Sequence, residues 1–314
     1  MGIEKEQHIK SNLQKVLESG HFSVTSEIGP PMSGDAQNVM DKADHIQGLV
    51  DAANVTDNQT AVVRMSSIAA SYIASQKGVD PIVQMTCRDR NRIAMQSDLL
   101  GAYALGLRNI LILSGDHQQF GNHAGSKNVF DVDSIQALHG LNKMMNEDVF
   151  FGGSPLKQPV EFFLGTTANP FADPEELQLI RLEKKIRAGA KYVQTQAIYN
   201  LDRFKSWMEK VRERGLHEEA YFLAGIIVNR SIRSIEATSE VPGMDIPEYL
   251  IDRMRSTTNK EEAEAEGVAI ALDLIKELRE IQGVSGIHIM AIGWESIVPT
   301  VVEKAGFLPR PVID

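Results

Sequence analysis

Short runs of β-branched, aromatic and aliphatic residues recur along the chain. Each is followed by a longer stretch whose apolar positions repeat at helical spacing. The runs predict strands at Phe22–Ser26, Ala52–Val55, Ile82–Thr86, Asn109–Leu113, Glu161–Gly165, Tyr192–Thr195, Tyr221–Ile227 and Gly286–Ile289. The stretches between them predict helices over roughly 35–49, 62–77, 91–106, 133–145, 174–188, 201–214 and 259–281, with a last one near 297–306 and an opening one over about 4–19. Gly78, Gly106, Gly189, Gly215 and Gly283 mark helix stops, because glycine enters the left-handed conformation that ends a helix without a Cβ clash.

Eight strands, each followed by a helix, in 314 residues predict an α/β fold: a (β/α)8 TIM barrel with an extra N-terminal helix. A doubly wound open sheet is the competing architecture. It normally carries a G-x-G-x-x-G turn after its first strand, and Gly29-Pro30-Pro31-Met32-Ser33-Gly34 lacks that spacing. No linker, repeat or low-complexity segment divides the sequence, so residues 1–314 read as a single catalytic barrel domain. The acidic run Glu261 to Glu266 suits the first turns of a helix, where carboxylates meet the positive end of the dipole.

Charge and composition narrow the partners. A net charge of −10 argues against nucleic acid, which needs a concentrated basic face. No stretch approaches the roughly 20 apolar residues of a membrane span. The N-terminus is charged from Glu4 onward rather than apolar, so a cytoplasmic protein is expected. A single cysteine, Cys87, excludes an internal disulfide and a cysteine metal cage, and reads as a core residue. The eight histidines include no H-E-x-x-H pair, and no metal site is expected.

Active sites of such barrels lie at the C-terminal strand ends. Two acids arrive there: Glu27 after Phe22-Ser23-Val24-Thr25-Ser26, and Asp116 in Leu113-Ser114-Gly115-Asp116. The rest of the rim is polar but holds no Ser–His–Asp or G-x-S-x-G signature. Acid–base chemistry by carboxylates, beside a bound cofactor, remains.

Six rim segments, in order over nearly the whole chain, resemble the methylenetetrahydrofolate reductase family. They are Ser26-Glu27-Ile28-Gly29-Pro30-Pro31, Val55-Thr56-Asp57-Asn58, Gln84-Met85-Thr86-Cys87, Leu113-Ser114-Gly115-Asp116, Leu182 to Ala190, and Thr195-Gln196. The chain is similar to the short, barrel-only form of anaerobic one-carbon metabolism. The resemblance implies a flavin enzyme that converts 5,10-methylenetetrahydrofolate to 5-methyltetrahydrofolate. It implies Glu27 as general acid; such an acid works best with its pKa lifted by an apolar wall, which the neighbours Ile28, Pro30 and Pro31 could provide. It implies Asp116 at the catalytic pterin-binding acid, Gln196 at the pterin-orienting amide, and Ile232 where some relatives cap the folate with an aromatic ring. Cofactor positions fall on Thr56, Gln84, Ser114, Gly115, Phe130, Asp131, Asp133, Asn169, Gln178, Arg181, Lys184 and Lys185. Many members have His, Arg and Asp where this chain has Gln84, Ser114 and Gln178. FAD is the family default, with FMN the alternative. The implied electron donor is NAD(P)H or an iron–sulfur subunit, and an oligomer or hetero-complex is expected. Two alternatives stand beside this reading: a pterin-binding methyltransferase barrel serving a corrinoid protein, and an electron-accepting subunit of a larger redox complex.

Overall fold

A computed structural model describes residues 10–313 of the chain. The elements follow the order α1 (Asn12–Glu18), β1 (Ser23–Ile28), α2 (Ala36–Ile46), β2 (Ala52–Val55), α3 (Ser67–Ser75), β3 (Pro81–Thr86), α4 (Arg92–Ala104), β4 (Asn109–Leu113), α5 (Ser134–Asn146), β5 (Phe163–Ala168), α6 (Glu175–Arg187), β6 (Tyr192–Ala197), α7 (Leu201–Glu213), α8 (Leu216–Glu219), β7 (Tyr221–Ile227), α9 (Ile232–Ser239), α10 (Glu248–Arg255), α11 (Lys260–Leu278), β8 (Val284–Met290) and α12 (Val298–Lys304). The eight strands are parallel and close in sequence order, with β8 pairing back onto β1. This is the (β/α)8 barrel that the strand count predicts. The first part of the expected opening helix, 4–9, lies outside the described residues.

The strands are buried on both faces, as those of parallel sheets are, and their outward face is predominantly apolar. Val24, Ile28, Val55, Val83, Met85, Ile110 and Ile112 face the surrounding helices, each fully buried. At the N-terminal mouth, Leu13 and Leu17 of α1 pack with Ala52, Ile82, Leu111, Phe163, Tyr192 and Leu223 and plug the barrel. Asp80 ties that plug down by accepting from the Leu13 amide at 2.9 Å and from Asn109 Nδ2 at 3.0 Å. Among the described residues, no helix is long and apolar enough to cross a membrane.

Two differences from the sequence pattern bear on the rim. The strand expected at Glu161–Gly165 runs Phe163–Ala168, because pairing with β4 starts at Phe163 and pairing with β6 reaches Ala168. The segment between β7 and α11 contains α9 and α10, neither of which the pattern indicated. They are eight residues each, and Pro242, Gly243 and Pro247 interrupt the sequence between them, which hides the helical period.

Candidate active site

A layer of polar side chains crosses the barrel interior just below the C-terminal rim. Asn54 and Gln194 exchange amide hydrogen bonds of 2.6 and 3.1 Å. Asn54 Nδ2 also reaches His288 Nε2 at 3.3 Å, and His288 Nδ1 lies 3.0 Å from Thr25 Oγ1. Since Thr25 Oγ1 donates to the Ile287 carbonyl, the network assigns the proton to His288 Nδ1 and leaves Nε2 as acceptor. Burial pushes the imidazole down to about 3, so it is neutral. Sequence reasoning missed this layer. Its signal was an amide or imidazole in the middle of three strands, at Asn54, Gln194 and His288.

Glu27 follows Thr25 by two residues in an unbulged strand, so its side chain faces the same interior one step nearer the rim. It is 9% exposed. Burial raises its carboxyl from 4.5 to about 7, and the negative charge of Glu295 adds to the rise. Gln59 Nε2 donates to Glu27 Oε1 at 3.4 Å and opposes the rise, as do the charges of Lys42 and Arg64. Of the expected wall of Ile28, Pro30 and Pro31, Ile28 takes no part, because it faces outward into the helix layer; a second carboxylate adds to the effect of burial.

Asp116 stands on the loop after β4, exposed, with no side-chain hydrogen-bond partner among the described residues. Its backbone is fixed from below by Arg88, which is 2% exposed. Arg88 donates to the Asp116 carbonyl at 3.1 Å, the Asn58 carbonyl at 3.2 Å and the Asp89 carboxylate at 2.7 and 2.8 Å. The loop turns at Gly115, where φ is +86° and a Cβ would meet Thr86 at 3.1 Å and Arg88 at 3.2 Å. Neighbouring Ser114 is exposed, and Gln84 is half-buried on β3.

Gln196 owes its exposure to a bulge. Between Gln194 and Ala197 the β6–β7 register slips, and Thr195 Oγ1 closes the irregularity by accepting from the Gly225 amide at 2.9 Å. Gly225 is needed there, since a Cβ would lie 2.5 Å from the Thr195 carbonyl oxygen. Gln196 thereby lines a cleft of about 200 Å³ with Asn169, Gln178, Arg181 and Lys185. On α6, Leu179, Leu182 and Ile186 face the core, while Gln178, Arg181 and Lys185 form the adjacent stripe at i, i+3, i+7. Lys185 donates to the Thr167 carbonyl at 2.7 Å. Burial, and then the charge of Arg181, depress its ammonium to about 8. Neither Lys185 nor Arg181 has a carboxylate at salt-bridge distance among the described residues.

The structure thus gathers five expected residues in one cleft and leaves others elsewhere. Glu27 and Asp116 occupy the same rim but do not line that cleft. Lys184 is exposed on another face of α6. Asp133 caps α5 in a reciprocal capping box with Gln136, and Asp131 is bound to Arg92 at 2.8 Å, which holds its carboxyl down at about 2. Phe130, between them and the rim loop, is exposed with φ +40°. Ile232 begins α9, half-buried against the core.

Two features fit a phosphate-bearing, polar-ringed cofactor such as a flavin. Among the described residues the Thr56 hydroxyl is buried at the end of β2 with no hydrogen-bond partner, and the Arg181–Lys185 pair places two positive charges in a polar cleft with no carboxylate at salt-bridge distance.

A family model described as "Methylenetetrahydrofolate reductase" matches residues 12–306. Methylenetetrahydrofolate reductase 1 of Schizosaccharomyces pombe is 24% identical over 75% of this chain and 38% of its own length. The 5,10-methylenetetrahydrofolate reductase of Pectobacterium carotovorum is 21% identical over 92% of each chain. The chain spans less than half the length of its yeast relatives, 38% and 46% of two of them. Among solved structures, a Clostridium thermocellum protein described as binding two copies of 5-methyl-5,6,7,8-tetrahydrofolic acid superposes with a TM-score of 0.64 at 14% identity, over 95% of this chain and all of that one.

Proposed function

Because the chain belongs to the methylenetetrahydrofolate reductase family, we propose that it reduces 5,10-methylenetetrahydrofolate to 5-methyltetrahydrofolate with a bound flavin, Glu27 serving as general acid. The family match favours this over the methyltransferase reading. The observation that carries it is Glu27 itself: an interior carboxyl at a barrel rim, raised to about 7, where an acid both holds and gives up a proton at neutral pH. A barrel of the same fold that binds 5-methyltetrahydrofolic acid supports a folate at this rim.

Glu27 donates its proton to the departing amine as the five-membered ring of the substrate opens, leaving the N5 iminium. When bound, the flavin supplies the hydride. Asp116, exposed and with neither oxygen hydrogen-bonded among the described residues, accepts from the N–H groups of the pterin and fixes the face presented. Gln196 adds an amide from the bulged end of β6. Arg181 and Lys185 would hold the phosphate of the flavin, Asn169 and Gln178 its polar parts, and the buried Thr56 hydroxyl would find its partner on the same group.

The purified protein is expected to be yellow, bleached by reductant and reoxidised by methylenetetrahydrofolate. The mass of the released chromophore separates FAD, the expected form, from FMN. Colourless protein that takes up neither would end the proposal. Asp116→Asn removes charge-assisted hydrogen bonds worth about 1.5–3 kcal/mol, so folate affinity should fall roughly 10- to 100-fold with flavin retained. Equal affinity in an equilibrium titration would remove Asp116 from the pterin contact.

A further inference from the structure

Lys42 of α2 places its ammonium 2.8 Å from Glu295 Oε1 and 2.8 Å from the carbonyl oxygen of Gly29. Gly29 follows Glu27 by two residues, and Glu295 lies in the turn after β8, the strand that pairs with β1. A Cβ on Gly29 would sit 3.8 Å from Glu295 Oε1, so the second carboxylate rests against the strand end that carries Glu27. The Glu295 and Lys42 side chains are 11% and 23% exposed, and salt screens such a pair weakly. The charged groups acting on Glu27 are Glu295, Lys42 and Arg64, from three different segments, and Glu295 outweighs either cation.

We propose that Glu295 is a positioning residue for the Glu27 proton: its carboxylate, fixed by Lys42 against the strand end that carries Glu27, repels the ionised form of that acid. The use of that proton in catalysis rests on the function proposed above; the charge coupling does not. A Lys–Glu pair whose only task is to staple α2 to the turn after β8 predicts that removing either partner has the same effect. A charge role predicts effects of opposite sign. Glu295→Gln removes the repulsion and leaves Lys42 to stabilise the Glu27 carboxylate. Lys42→Met leaves Glu295 uncompensated and strengthens the repulsion.

The test is an infrared difference titration of the purified chain, reading the protonated-carboxyl band that Glu27→Gln abolishes. The midpoint is expected to fall by about one pH unit in Glu295→Gln and to rise by about one in Lys42→Met. The alkaline fall of folate turnover should move with it. Unmoved midpoints, or shifts in the same direction, overturn the proposal. Should Glu295→Gln fail to fold, Glu295→Met takes its place: a fall supports the coupling, and no change or a rise ends it. Folate turnover retained in Glu27→Gln, with the midpoints still moving apart, would remove the catalytic reading and leave the coupling standing.

Discussion

Glu27→Gln is expected to keep its flavin and its reduction by the electron donor while folate turnover drops by roughly 10²–10⁴-fold, the usual contribution of a general acid. Glutamine is close in size and keeps a polar head toward Gln59, so the rim should survive; what disappears is the proton. In the parent protein, turnover should decline as pH rises through about 7, where the raised carboxyl ionises. The same residue makes a stability prediction. An acid raised from 4.5 to about 7 contributes stability in full below the unfolded value and loses it as pH climbs through the folded one. At pH 8 the parent should therefore have lost about 3 kcal/mol relative to Glu27→Gln, compared with the same pair at pH 4. Urea unfolding of both proteins at the two pH values checks this. A constant difference would mean that Glu27 is not held protonated, and unimpaired folate turnover would mean that its proton is not used.

Lys185→Met is expected to separate stability from cofactor binding. The ammonium is depressed from 10.5 to about 8, so at neutral pH the folded chain holds a charge that its surroundings disfavour. The cost is roughly 2–3 kcal/mol, nearer the lower figure because the side chain keeps part of its surface in water. Its sign follows from linkage: the folded value lies below the unfolded one, so the cost is complete below about 8 and disappears as pH rises through 10.5. Flavin-free Lys185→Met should thus melt higher than the flavin-free parent at pH 7 and converge with it at high pH. Flavin affinity should fall in the same variant, because the cleft loses the cation that a phosphate would neutralise. A variant that binds flavin as tightly as the parent would assign Lys185 a purely structural role.

A stretch of sequence that destabilises the folded chain unless something binds it is a mark of a site. Arg181 and Lys185 make the case clearly. Their spacing with Gln178 on one helix is legible in the sequence, as is their placement beside the core stripe Leu179–Leu182–Ile186. That no carboxylate among the described residues stands at salt-bridge distance from them is not legible, because partners come from other segments. Lys184, adjacent in sequence and equal in charge, lies on the solvent side. Asp131 and Asp133 show the converse: two acids in a motif-like segment whose carboxylates are engaged locally by Arg92 and the α5 terminus.

What the sequence determined by itself was whatever depends on local pattern. Alternation of apolar runs with helical stretches fixed eight strands, their order and hence a barrel, because parallel strands need covered faces and helical crossovers. Strand ends then named Glu27, Asp116 and Gln196 as rim residues. Tertiary structure decided the environments. Closure brought β8 against β1 and so set Glu295 and Lys42, 253 residues apart, on the strand end of Glu27. It assembled Thr25, Asn54, Gln194 and His288 from four strands into one interior layer, and a bulge turned Gln196 into the cleft. The physical reason is that a side chain's direction follows from its own strand, whereas its proton affinity follows from every charge and every water molecule that folding brings near or removes.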